Sequence, residues 1–158
     1  MKTTTMIYPV FAFVTMTSGC CCKKECVESD VIYKIDFQNF NYAEIDTLLI
    51  TNYVKGSNFI TKADSFYNYG GLVGQNTSSE PKAINLSREL DVNKYDWQIK
   101  LGNTQTKYNI SDFLVSKEVC TTCITGNDYY NKLTAYKING VTQTAHSSKG
   151  GGNITITK

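Results

Sequence analysis

The sequence predicts an all-β protein, a single antiparallel β-sandwich of about seven to nine short strands that follows a cleaved signal peptide. Short segments alternate between apolar and polar residues, and turns rich in glycine and asparagine separate them. No segment keeps apolar residues at the 3.6-residue period of an amphipathic helix. Many short strands at regular spacing are typical of a sandwich, and a closed barrel is the alternative.

The clearest predicted strand covers residues 95–101, where four apolar residues alternate with polar ones. Residues 31–37 also alternate, and the alternation places Val31, Tyr33, Ile35 and Phe37 on one face. Further strands are predicted at 45–51, 63–69, 83–87, 107–110, 113–119, 133–138 and 153–157. Gly102-Asn103 and Asn139-Gly140 predict hairpin turns between neighbouring strands. The predicted sandwich domain therefore covers residues 31–158.

The N-terminus has the composition of an export signal. A short start that contains Lys2 precedes residues 6–17, which are almost all apolar and uncharged. The apolar run is too short for a membrane-spanning helix, which needs about 20 residues. Residues 1–19 therefore predict a cleaved signal peptide, and an ordinary secreted protein is the alternative to the anchored form described next.

The segment Thr17-Ser18-Gly19-Cys20 resembles the lipobox of bacterial lipoproteins, in which the cysteine is lipidated and becomes the first mature residue. Thr17 replaces the usual leucine, and this departure resembles the looser lipobox of Bacteroidota-type bacteria. The resemblance implies lipidation of Cys20, with Cys21 and Cys22 as alternatives, and a tether over residues 20–30. It implies an outer-membrane lipoprotein that is attached through its N-terminal lipid and is either periplasmic or surface-exposed.

The charge composition argues against a nucleic-acid partner. The chain has 16 Lys and Arg against 14 Asp and Glu, and the basic residues are scattered singly apart from Lys23-Lys24. A nucleic-acid-binding protein usually clusters its basic residues on one face. We expect no nucleic-acid partner, no cofactor and no metal.

Six cysteines indicate an oxidising compartment, where disulfides persist. Cys120-Thr121-Thr122-Cys123 predicts a structural disulfide between Cys120 and Cys123, and a link from Cys26 to either one is the alternative pairing. A redox-active CxxC normally opens a helix, whereas the surroundings here predict strands. A closed zinc site would need four thiolates, for which Cys22 and Cys26 would have to join the pair.

No pattern in the sequence predicts catalysis. The single histidine, His146, lies in a predicted loop, and no nucleophile-elbow pattern surrounds a serine. A glycosidase would need two carboxylates, which can be distant in the chain. The available pairs are Glu44/Asp46, Glu89/Asp91 and Asp112/Glu118. The sequence therefore predicts a non-enzymatic protein.

Four tyrosines near predicted loops are the candidate binding residues: Tyr67, Tyr69, Tyr129 and Tyr130. Exposed aromatic rings can stack on sugar faces, and tyrosine is common in protein interfaces. The alternative is that these rings lie in the core or on strand faces. The sequence predicts a membrane-anchored accessory or interaction module that contacts an envelope protein or a polysaccharide, and the second hypothesis is a carbohydrate-binding accessory lipoprotein.

Several short segments of the mature chain resemble a group of small Bacteroidota-type lipoproteins. They are Cys22-Lys23-Lys24-Glu25-Cys26, residues 44–50, Gly56-Ser57-Asn58-Phe59, Cys120-Thr121-Thr122-Cys123 and Tyr136-Lys137-Ile138-Asn139-Gly140. The resemblance implies an immunoglobulin-like or transthyretin-like sandwich on a lipid anchor. It implies no activity.

Overall fold

The computed structural model describes residues 29–69, 82–102, 104–123, 126–145 and 152–158, without the side chains of 121–123 and 126–128. The predicted signal peptide, the predicted lipidation site at Cys20 and the predicted loop that contains His146 lie outside the described residues. The elements are β1 (Val31–Gln38), α1 (Tyr42–Ile45), β2 (Thr47–Val54), β3 (Lys62–Tyr69), β4 (Lys82–Asp91), β5 (Tyr95–Leu101), β6 (Lys107–Cys123), β7 (Gly126–Ile138), β8 (Val141–Thr144) and β9 (Gly152–Thr157).

These strands form two sheets, so the predicted β-sandwich is confirmed. One sheet has three strands in the order β4-β1-β9, and the other has six in the order β3-β2-β5-β6-β7-β8. All neighbouring strands pair antiparallel except β1 and β9, which are parallel. Within the described residues no helix is long and apolar enough to span a membrane.

The core lies between the two sheets. Trp97 and Ile99 of the larger sheet are fully buried, as are Ile35 and Ile154 of the smaller one, and all belong to one apolar cluster. Asn68, at 1% exposure, joins the layers at one edge. Its amide nitrogen donates to the Asn85 carbonyl at 3.1 Å, and its amide oxygen accepts from the Ser87 N–H at 2.6 Å.

The predicted face of β1 is wrong at the start of the strand, before Ile35. Between Ile32 and Lys34, β1 has one more residue than its neighbour β9, which is a β-bulge in β1. A bulge adds one residue to a strand and changes which side chains face the core. Ile32 is therefore buried together with Ile35, while Tyr33 is 47% exposed.

The start of the described chain is joined to the fold. Ser29 and Asp30, which the sequence places in the tether, are both buried. The Ser29 N–H donates to the Asn131 carbonyl at 2.9 Å. The Asp30 carboxylate accepts from the side-chain amides of Asn93 and Asn131, each at 2.9 Å. The two residues therefore connect β7 with the turn between β4 and β5.

Candidate functional site

Tyr67 and Tyr69 form an exposed pair of rings on β3, an edge strand of the larger sheet. Their exposed fractions are 57% and 71%. The ring centroids lie 6.1 Å apart and the planes differ by 18°. Residues two apart in a strand point to the same face, so the edge presents two nearly parallel rings to solvent.

Tyr129 and Tyr130 do not form such a pair. They are consecutive residues of β7 and therefore point to opposite faces of the sheet. The Tyr130 hydroxyl donates to the Glu118 carboxylate at 3.2 Å, whereas the Tyr129 ring lies 5.2 Å from the Lys117 ammonium. Lys132 is hydrogen-bonded to Glu118 and holds the pKa of that carboxyl below its usual value.

The two tyrosine pairs lie far apart. Tyr67 is in the row of paired residues that crosses β6 at Lys107, and Tyr130 pairs with Glu118 further along the same strand. At about 3.3 Å per residue, the 11-residue step from Lys107 to Glu118 spans up to roughly 36 Å of strand. The candidate site is therefore limited to Tyr67 and Tyr69.

Both rings lie on the outer face of the six-stranded sheet, defined here by Tyr67, Tyr69, Leu49, Lys100 and Lys107. Directly paired residues share a face of a sheet, and the pairs Tyr67–Leu49, Leu49–Lys100 and Lys100–Lys107 form one row across four strands. Ile50 and Ile99, the strand neighbours of Leu49 and Lys100, are buried in the core. The outer face therefore points away from the smaller sheet.

The next row along the outer face is polar. Thr51 pairs with Gln98, and Gln98 pairs with Asn109. The Gln98 side-chain amide donates to the Asn109 side-chain oxygen at 2.8 Å. This bond leaves donors of the Asn109 amide and the acceptor oxygen of Gln98 for a ligand. The outer face thus combines stacked rings, lysines and carboxamides.

The sequence did not predict the two lysines or the carboxamides of this face. Lys100 and Lys107 look like ordinary solvent-facing residues of two separate strands. The predicted hairpin between residues 95–101 and 107–110 could have indicated that the two lysines lie close together, because hairpin strands place residues opposite each other. The exact opposition depends on the turn, where the Leu101 N–H donates to the Thr106 carbonyl at 3.2 Å.

The cysteine pattern is only partly within the described residues. The Cys120 sulfur is disulfide-bonded, and the side chain of Cys123 is not described. Both residues belong to β6. An extended strand separates Cα atoms three residues apart by roughly 10 Å, whereas a disulfide needs about 6.8 Å or less. The pairing with Cys123 stays a prediction, and the extended backbone is a physical argument against it.

The sequence-derived carboxylate pairs mostly make ion pairs. Glu44 binds Lys158, Asp112 binds Lys137 and Glu118 binds Lys132, at 2.6, 2.9 and 3.0 Å. The lysine contacts lower the pKa of Glu44 and of Glu118, whereas a general acid needs a raised pKa.

A polar cleft of about 310 Å³ lies at one end of the sandwich. Asp64, Glu89 and Asp91 line it together with Arg88 and Lys94. The Arg88 guanidinium is hydrogen-bonded to Asp64 and lowers the pKa of that carboxyl, which is the opposite of a general acid. In the described part of the chain, no three His, Cys, Asp or Glu side chains are grouped so as to hold a metal ion.

Comparison with known proteins gives no relative from which a function could be transferred. No family model matches the chain, and no curated protein or solved structure matches it.

Proposed function

We propose that this chain is an exported lipoprotein of the cell envelope, anchored through Cys20, that acts as a non-enzymatic interaction module. The observation that carries the proposal is the charged start, apolar run and Thr17-Ser18-Gly19-Cys20 segment. The sandwich supports the proposal, because its first described residues are hydrogen-bonded to β7. A short N-terminal tether can therefore attach the folded domain to a membrane.

Inhibition of lipoprotein signal peptidase tests the anchor. Globomycin should cause the unprocessed precursor to accumulate, and the mature protein should partition into detergent. Cys20→Ser should prevent processing and lipidation, while Cys21→Ser and Cys22→Ser serve as matched controls that keep both. Mature protein of unmodified mass that partitions into water would contradict the anchor.

The second candidate function is carbohydrate binding, and the specific observation in its favour is the Tyr67–Tyr69 pair. Rings that are 57% and 71% exposed leave apolar surface in contact with water. Such surface is covered when a sugar ring stacks on it, in the way that aromatic groups bind other flat apolar faces. Both rings lie on an edge strand of the larger sheet.

Alanine variants test this candidate. Tyr67→Ala and Tyr69→Ala should each weaken binding to a polysaccharide about three- to tenfold, because one stacking surface is lost. Tyr33→Ala is the matched control, since Tyr33 is also exposed but lies on the smaller sheet. Affinity electrophoresis gives the comparison, with thermal melting to confirm folding. Equal binding by all three variants would remove the carbohydrate hypothesis for this face.

A further inference from the structure

Lys100 and Lys107 lie directly opposite each other on β5 and β6. Like charges at opposed positions of a sheet destabilise the strand pair. Neither lysine has a carboxylate partner in the part of the chain that the structure describes. The arrangement has an unfavourable repulsion that no protein group offsets there.

Other lysines of the protein contrast with this pair. Among the residues that the structure describes, Lys34, Lys94, Lys132, Lys137 and Lys158 each make an ion pair with a carboxylate. What distinguishes Lys100 and Lys107 is that they face each other directly across two paired strands. They lie in the same row as Tyr67, across Leu49.

We propose that the outer face binds an acidic polysaccharide, a polymer whose sugar residues carry carboxylates. The inference rests on the carbohydrate-binding candidate and names its ligand class. The carboxylates bind between Lys100 and Lys107 and neutralise their repulsion, while sugar rings stack on Tyr67 and Tyr69. The charges are complementary, and a bound carboxylate relieves the repulsion between the two ammonium groups.

The dimensions of the face suit a polymer that lies across the strands. The row from Tyr67 to Lys107 crosses four strands, about 15 Å at roughly 4.8 Å per strand spacing. Gln98 and Asn109 lie one row away and offer donors and an acceptor for hydroxyl groups. An acidic peptide would satisfy the lysines alone and would make no use of two parallel rings.

Matched ligands separate charge from sugar recognition. The probes are polygalacturonate, alginate and hyaluronan, each compared with its carboxyl-esterified neutral form, against the full mature lipoprotein in detergent. At least one acid form should bind more tightly than its ester. Binding should weaken with added salt, because exposed charges are screened.

The lysine variants test the residue assignment. Lys100→Gln with Lys107→Gln should weaken binding of the acid form about tenfold and bring it close to that of the ester, since each exposed charge contact contributes modestly. Lys94→Gln removes one charge from the turn before β5, where Lys94 pairs with Asp91, and should have little effect on binding. The double variant should melt no lower than the wild type, because it removes a repulsion.

The outcomes of these binding measurements distinguish the acidic-ligand proposal from carbohydrate binding in general. If the ester binds as tightly as the acid form and only the tyrosine variants lose affinity, the acidic-ligand proposal is wrong and carbohydrate binding stands. If polyglutamate binds in a lysine-dependent but tyrosine-independent way, the ligand is an acidic peptide and the saccharide proposal is wrong. If no probe binds, or if neither the lysine variants nor the tyrosine variants change binding, then the acidic-polysaccharide proposal and the carbohydrate-binding hypothesis are both wrong.

Discussion

β9 is an edge strand, and the Tyr136 hydroxyl forms hydrogen bonds with its backbone on the side that has no neighbouring strand. It accepts a hydrogen bond from the Thr155 N–H at 2.8 Å and donates one to the Thr155 carbonyl at 3.3 Å. Tyr136→Phe should lower the free energy of unfolding by about 1–3 kcal/mol, because it leaves buried backbone groups without a partner. Tyr108→Phe is the matched control, since that hydroxyl makes no hydrogen bond within the described chain. Urea unfolding should show a clear loss for the first variant only, and equal losses would contradict the assigned role.

Residue identity alone did not distinguish the tyrosines. Tyr136 is 2% exposed and Tyr69 is 71% exposed, although both lie in predicted strands. Burial raises the pKa of the Tyr136 hydroxyl, with a smaller opposing contribution from its hydrogen bond to Thr155. Its role depends on the position of β9, which no local pattern around residue 136 encodes.

At the scale of elements, the β7–β8 hairpin depends on its turn. Asn139 and Gly140 have φ values of 49° and 83°, which is the left-handed region that a type I′ turn requires. Gly140→Ala should lower the free energy of unfolding by about 1 kcal/mol, because a Cβ disfavours positive φ. No atom lies within 4 Å of the added Cβ, so crowding does not contribute. Gly140→Asn should retain more stability because asparagine tolerates this conformation, and a loss equal to that of alanine would refute the backbone explanation.

The sequence predicted regular strands well and interrupted ones poorly. β5 has the predicted bounds, because its alternation is unbroken. β6 was predicted as two strands but is one continuous strand. The prediction divided it because Asp112 takes a positive φ of 52° where the register shifts, and this irregularity breaks the period of two. The segment predicted as a strand from Ile45 begins in the short helix α1.

At the scale of the whole molecule, the candidate site crosses the strands. Tyr67, Leu49, Lys100 and Lys107 come from four strands and form one row only after the sheet has assembled. Sequence patterns describe residues along one strand, whereas such a row also depends on strand order and register. The exposed tyrosines of β3 were therefore predictable as candidates, but the lysine pair beside them was not.

The disulfide of Cys120 determines how the β6–β7 hairpin is joined to the rest of the chain. A local bridge to Cys123 would stabilise by only about 2 kcal/mol, whereas a bridge to Cys26 closes a long loop and would give roughly 4–5 kcal/mol. Because β6 is extended through both residues, we expect Cys120→Ser to lower the melting temperature and Cys123→Ser to leave it nearly unchanged. Mass spectrometry of unreduced peptides from envelope fractions identifies the partner directly. Equal losses in the two variants, with a peptide linked between Cys120 and Cys123, would instead establish the local pairing and require β6 to bend at that point.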